Sequence, residues 1–126
     1  MRYAKLRRDE SGASAVEFAI TAPVFFAVVF GIIEGGLLLW TQLGLQHGAE
    51  MAARCAAVNK TMCNNSSAVQ NFAVQNSYGL NPAPSTFTVT TAACGTQISA
   101  AYTFNFITTY FGTPNVGLTA QSCFPS

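Results

Sequence analysis

Between Phe18 and Trp40 the chain reads FAITAPVFFAVVFGIIEGGLLLW, 23 residues carrying one charge, Glu34. A bilayer core about 30 Å thick is crossed by roughly 20 helical residues at about 1.5 Å rise each. Starting from Ala13 adds only Glu17 as a further charge, and Trp40 stands at the far end, where an amphipathic ring suits the headgroup zone. A secretory signal peptide has a shorter apolar region of about 7–15 residues and a small-residue cleavage site after it. Here the apolar stretch is longer, and Leu37-Leu38-Leu39-Trp40 is a poor exit. The segment is therefore expected to be a membrane-spanning helix that stays in the lipid bilayer.

The net charge of +1 conceals an asymmetry that orients the span. Four of the six basic residues, Arg2, Lys5, Arg7 and Arg8, precede it, and beyond Gly12 only Arg54 and Lys60 are basic. Basic residues stay on the cytoplasmic side of a span, so the N-terminus is expected inside and everything beyond about Thr41 outside. Nucleic acid is excluded as a partner, because it would need a basic face on the folded domain. Only 9% of the residues are charged, against about a quarter in an ordinary soluble domain. The exterior part is polar through Thr, Ser, Asn and Gln instead.

Within the span, Pro23 predicts a kink, which membrane helices tolerate when neighbours satisfy the freed carbonyl. Gly31 and Gly35 are four apart, and Gly44 and Gly48 repeat the interval; small residues at this spacing let a second helix approach closely. Acids at membrane depth need a partner, water or a cavity, since burial in lipid costs at least about 2–3 kcal/mol. Glu34, six residues before Trp40, is expected to make a polar contact with another membrane helix in an assembly, the alternative being a protonated acid facing lipid or one wetted near the outer surface.

Glu17 has the more specific setting. A basic leader, Gly12, four small or apolar residues, Glu17 and Phe18 lead into the apolar helix. This order resembles the type IV prepilin signal, and the stretch RRDESGASAVEFAITAPVF, with GIIEGG and GAEMAARCAAV further on, most resembles the TadE-like minor pseudopilins of tight-adherence (Flp-type IVb) pili over roughly residues 7–57. The resemblance implies cleavage between Gly12 and Ala13 by a prepilin peptidase and retention of Glu17 and Phe18 for assembly. It also implies partners: other pilin subunits through their transmembrane helices, and an inner-membrane assembly platform. The location implied is the bacterial inner membrane, single-pass, with the C-terminal domain periplasmic or extracellular, or incorporated in a pilus. The chemistry agrees. Glycine extends into a protease cleft at little steric cost. The new α-ammonium on Ala13 can neutralise a neighbouring subunit's Glu17, sparing an apolar bundle two unpaired charges. A type II secretion pseudopilin is a related alternative, and an unprocessed membrane-anchored binding or adhesion module is a second class.

Beyond the membrane, residues 41–58 are helix-compatible and partly amphipathic. Ala68 to Tyr78 predicts a short helix capped by Ser66 or Ser67 and ended by Gly79. Ser85 to Ala92 alternates Phe87, Val89 and Thr91. Ile98, Ala100, Tyr102, Phe104 and Phe106 alternate more strongly, and Val116, Leu118 and Ala120 form a third strand after a turn at Gly112 to Asn115. The fold class expected is α+β and pilin-like: a long N-terminal helix continuing outward, a short second helix and a small three-stranded antiparallel sheet. The sheet's aromatic face, Phe87, Tyr102 and Phe104 with Phe106 as a further candidate, is expected to be core rather than a ligand platform. The organisation expected is a cleaved leader (1–12), a transmembrane helix (13–40), its outward continuation (41–58) and a small exterior domain (59–126).

Cys55, Cys63, Cys94 and Cys123 lie outside the span and read as two disulfides, with three connectivities open. If strands two and three are antiparallel, Cys123 returns beside Cys94, leaving Cys55 and Cys63 to close a local loop. The spacing lacks the paired ligands of a zinc site, so no metal is expected. Nor is a cofactor expected, or an enzyme: His47 is the only histidine, no Asp follows Asp9, and no phosphate loop follows a strand. His47 is expected at the surface or in an interface. Thr108 to Asn115 would suit the binding-module alternative.

Overall fold

The computed structural model describes residues 10–108, 112 and 115–126, with side chains from Gly12 onward. The basic leader residues Arg2, Lys5, Arg7 and Arg8, and positions 109–111 and 113–114 of the loop and turn before the third strand, lie outside the described residues.

Helix α1 runs from Glu10 to Val58 and is continuous through Pro23. Helix α2 covers Ser66–Gln75, a 3-10 turn Pro84–Thr86, and strands β1 (Phe87–Ala92), β2 (Gly95–Asn105) and β3 (Asn115–Phe124) follow. The strands form one antiparallel sheet in the order β1-β2-β3. The class is α+β, with the long helix, short helix and three-stranded meander that the residue pattern implies.

By contacts the chain divides into two compact units, Met1–Gly35 and Gly36–Ser126. In the first, Glu34 is the only buried residue between Gly12 and Gly35. The apolar side chains there are open: Phe18 is 72% exposed, Ile20 68% and Ile32 70%. The helix is long and apolar enough to cross a membrane, and none of its most apolar window is buried.

The second unit has a core of its own. Leu45, Ala49, Ala52, Ala53 and Cys55 of α1 meet Val69 and Ala73 of α2 and Phe87, Ile98, Ala100, Leu118 and Ala120 of the sheet. Alternation puts every second strand residue on this face, and the register aligns them: Phe87 opposite Ala100, Ala100 opposite Ala120, Tyr102 opposite Leu118 and Phe104 opposite Val116. Phe87 is fully buried, whereas Tyr102 and Phe104 are half-buried against the cluster. Thr91, expected beside them, is exposed.

The small residues of α1 explain how closely the layers approach. A methyl group on Gly48 would lie 2.5 Å from Ser77 Oγ and 2.7 Å from the Ala73 carbonyl oxygen. One on Gly44 would lie 2.5 Å from Leu80 Cδ1 and 2.8 Å from the Ser77 carbonyl oxygen. Only hydrogen fits at either position.

Several boundaries differ from the sequence reading for local reasons. The α2 cap is Asn65, not Ser66 or Ser67: its side chain accepts a hydrogen bond from the Ala68 N–H at 2.8 Å, satisfying an orphan donor of the first turn. The helix stops at Gln75 rather than Tyr78, because Asn76 closes it and Tyr78 turns to φ +50°. β1 starts at Phe87 rather than Ser85, since Pro84 opens the 3-10 turn. β2 begins at Gly95, ahead of Ile98. Gly95 holds φ +125° and packs so closely under Phe124 that a side chain has no room, which lets a two-residue hairpin turn replace a longer loop.

Both disulfides form. Cys55–Cys63 ties the end of α1 to the following turn, and Cys94–Cys123 ties the hairpin to β3.

Candidate functional site

The residues singled out for processing and assembly lie at the head of α1. Gly12 and Ala13 occupy its first turn, exposed, with nothing within 4 Å of a methyl group placed on Gly12. Helix ends leave the first four N–H groups without intrahelical partners, so this peptide bond sits where a helix opens most easily. Glu17 is exposed one turn beyond Ala13, on the same face by the four-residue spacing. Its backbone carbonyl accepts a 2.7 Å hydrogen bond from Thr21 Oγ1, so the hydroxyl is satisfied within the helix, as lipid requires. Phe18 points outward beside it.

Higher on the same helix the sequence's two glycine pairs part company. Gly31 and Gly35 have nothing within 4 Å of a methyl group built on them. Gly44 and Gly48 are filled by the end of α2 and the turn after it. Glu34 is 5% exposed in the single chain and is not without a partner. Its side chain is shielded within a single chain, before any second helix is added.

Two features were not foreseen. Gln42 and Gln46, one turn apart on α1, donate through Nε2 to the carbonyls of Thr119 (2.8 Å) and Gln121 (3.2 Å) on β3. Gln70 of α2 donates to the Phe87 carbonyl on β1 at 2.8 Å. Both outer strands of the sheet thus have carbonyls covered by side-chain amides, which blunts the tendency of open edges to pair with other chains. The signal available was the four-residue spacing of Gln42 and Gln46 on a helix otherwise lined with apolar and small residues.

The second is an aromatic cluster. Tyr78 stacks on His47 with centroids 4.5 Å apart and meets Trp40 at 5.7 Å. His47 Nδ1 lies 2.7 Å from the Asn76 carbonyl oxygen. A carbonyl only accepts, so Nδ1 carries the hydrogen. Tyr78 holds this place in a left-handed conformation that costs a bulky residue about 1–3 kcal/mol. Among the described residues no group of three His, Cys, Asp or Glu side chains is placed to hold a metal ion.

The head of α1, its open apolar face and its small-residue stripe fall within one matched segment: the family model for TadE-like protein covers residues 12–54. This segment is TadE-like. The match takes in Gly12, Glu17, Phe18, Glu34 and all four spaced glycines, about a third of the chain, and leaves out α2 and the sheet. No curated protein and no solved structure matches the chain.

Proposed function

We propose that this chain is a minor pilin of a tight-adherence pilus, a structural or assembly-priming subunit processed by a prepilin peptidase after Gly12. The observation that supports it is the order Gly12, Ala13, Glu17, Phe18 at the exposed head of a TadE-like helix whose apolar side chains from Val16 to Ile33 have no core of their own to enter. Before processing, the helix crosses the inner membrane with its basic leader in the cytoplasm and the disulfide-bearing unit outside. Cleavage removes most of the positive charge that holds the N-terminus at the inner leaflet and leaves an ammonium on Ala13. Glu17 of a neighbouring subunit pairs with that ammonium and sets the stagger between the two helices. Gly31 and Gly35 admit a neighbour's backbone higher up, where lipid contact is exchanged for helix contact.

Co-expression with the cognate peptidase tests the processing step. Intact-mass analysis is expected to find a chain beginning at Ala13, and a chain still beginning at Met1 sinks the proposal. Glu17→Ala is expected to leave membrane insertion intact and abolish co-purification with other pilin subunits.

A further inference from the structure

Beyond α1 the most unusual backbone in the described residues is the turn that follows α2. Tyr78 sits at φ +50°, Gly79 at +77° and Asn81 at +47°. Glycine takes such angles freely and stands at the next position, yet an aromatic residue occupies 78. The conformation throws its ring onto α1, where it bridges His47 and Trp40. The ring is not thereby buried: Tyr78 is 47% exposed and Trp40 53%. Leu39 and Leu43, flanking Trp40 on α1, are 62% and 60% exposed. The cluster is a half-open apolar and aromatic collar within the Gly36–Ser126 unit.

We infer that this collar is a membrane-interface anchor: Tyr78, carried by the turn after α2, enters the lipid headgroup zone beside Trp40 and seats the Gly36–Ser126 unit on the bilayer. The inference rests on the reading of α1 as a membrane span. Trp40 marks the end of the apolar run, and His47 lies seven residues on, about 10 Å along the helix axis. Tyr78 contacts both, so its ring is held between those two levels. The headgroup zone of one leaflet is about 5–7 Å deep. The Tyr78 ring, midway between the two levels, therefore falls inside it, and the imidazole lies just beyond it.

Charge placement agrees. No Asp, Glu, Lys or Arg occurs from Gly35 to Ala49, and none occurs after Lys60. The charged side chains of the unit, Glu50, Arg54 and Lys60, all come after His47, away from Trp40. The end that meets the collar is free of ions, and Trp and Tyr are the residues enriched where hydrocarbon gives way to water. A surface built for bulk water gains nothing from a strained tyrosine held half-open against a tryptophan.

Fluorescence of the full chain in lipid vesicles tests this, because Trp40 is the sole tryptophan. The unsubstituted chain reports the depth of Trp40. A Trp40→Phe, Tyr78→Trp double variant moves the only indole to position 78. Phosphatidylcholine brominated near the headgroup end of its acyl chains is expected to quench the indole at 78 severalfold more than aqueous acrylamide does. If Trp40 is quenched by brominated lipid but the indole at 78 only by acrylamide, the anchor is overturned and the membrane span stands. If the indole at 78 is shielded from both quenchers, protein covers the collar and the lipid assignment is wrong. If Trp40 itself is untouched by brominated lipid, the span fails and the anchor with it. Should the double variant fail to form its disulfides, the unsubstituted chain in nanodiscs provides the second measurement. Nitroxide on the lipid headgroup is expected to broaden the Tyr78 ring resonances, and unbroadened resonances overturn the proposal.

Discussion

The two glycine pairs of α1 share one spacing and have opposite circumstances. Gly44 and Gly48 lie in the unit that folds on itself, and their missing side chains are used at once: the Ser77 and Ala73 backbone oxygens stand where methyl groups would be. Gly31 and Gly35 lie in the unit where, from Gly12 onward, only Glu34 is buried, and the space beside them is open. The same contrast runs through the rest of the helix. From Leu45 to Cys55 its core-facing side chains, Leu45 and a run of small residues, are buried; from Phe18 to Ile33 most of the large ones are exposed. A single helix thus contains a stretch satisfied by its own chain and a stretch that needs an apolar environment from elsewhere. Stability should be encoded in the first and association in the second, and substitutions can separate the two.

The largest effect on stability is expected from the disulfides, which lie wholly in the self-sufficient unit. Chain-entropy scaling gives about 3.5 kcal/mol for a loop the size of that closed by Cys94–Cys123 and about 2.5 kcal/mol for one the size of Cys55–Cys63. Replacing each pair by serine should lower the denaturant midpoint of the full chain in detergent in that order, followed by Trp40 fluorescence. Equal losses would show that strand pairing, not loop closure, governs this unit. Slightly smaller is Gly48→Leu, expected to cost about 2 kcal/mol because two oxygens, one of them backbone, must give way to the new side chain. An unchanged midpoint would mean that the close approach of α2 to α1 is dispensable. Smaller again is Asn65→Ala, which removes the side-chain acceptor for the Ala68 N–H and should cost about 1 kcal/mol. If Ser66 or Ser67 takes over the cap, no loss will be seen.

That last comparison shows where reading the sequence succeeds and where it stops. Period-two alternation located the central strand, because Ile98, Ala100, Tyr102 and Phe104 differ from their neighbours in kind. The disulfide pairing followed from antiparallel topology alone. The run Asn64-Asn65-Ser66-Ser67, by contrast, offers four competent caps in a row, and only the reach of one side chain to one N–H selects Asn65. Nor does composition carry the sign of a φ angle: a tyrosine beside a glycine gives no hint that the tyrosine takes the left-handed conformation. The four-residue spacing of Gln42 and Gln46 marks a polar stripe but not what it meets, since their partners Thr119 and Gln121 lie 77 and 75 residues away along the chain. The candidate site was legible for a different reason. Gly12, Glu17, Phe18, Gly31 and Gly35 form a local, linear pattern, and what each has within reach in its own chain is little or nothing.

The glycine spacing was the ambiguous signal, and it yields the experiment with the smallest expected effect on stability. Gly31→Leu and Gly35→Leu place bulk where, apart from the helix's own neighbouring backbone, nothing in the described residues lies within 4 Å of a methyl group. In detergent they should leave the unfolding midpoint within about 0.5 kcal/mol of the parent, as surface substitutions do, or raise it slightly because leucine favours a helix more than glycine. Their effect should appear only in the membrane. If the stripe receives a second helix, the added side chains hold the backbones apart, and crosslinking or energy transfer between copies, or between this chain and another pilin, should fall. Gly44→Leu and Gly48→Leu should show the reverse, a lower midpoint with membrane association of the span retained. A fall in midpoint for Gly31→Leu would mean that the open stripe is filled from within the chain. Unchanged association would mean that lipid alone faces it. Either result would remove the division between the half of the helix that folds and the half that assembles.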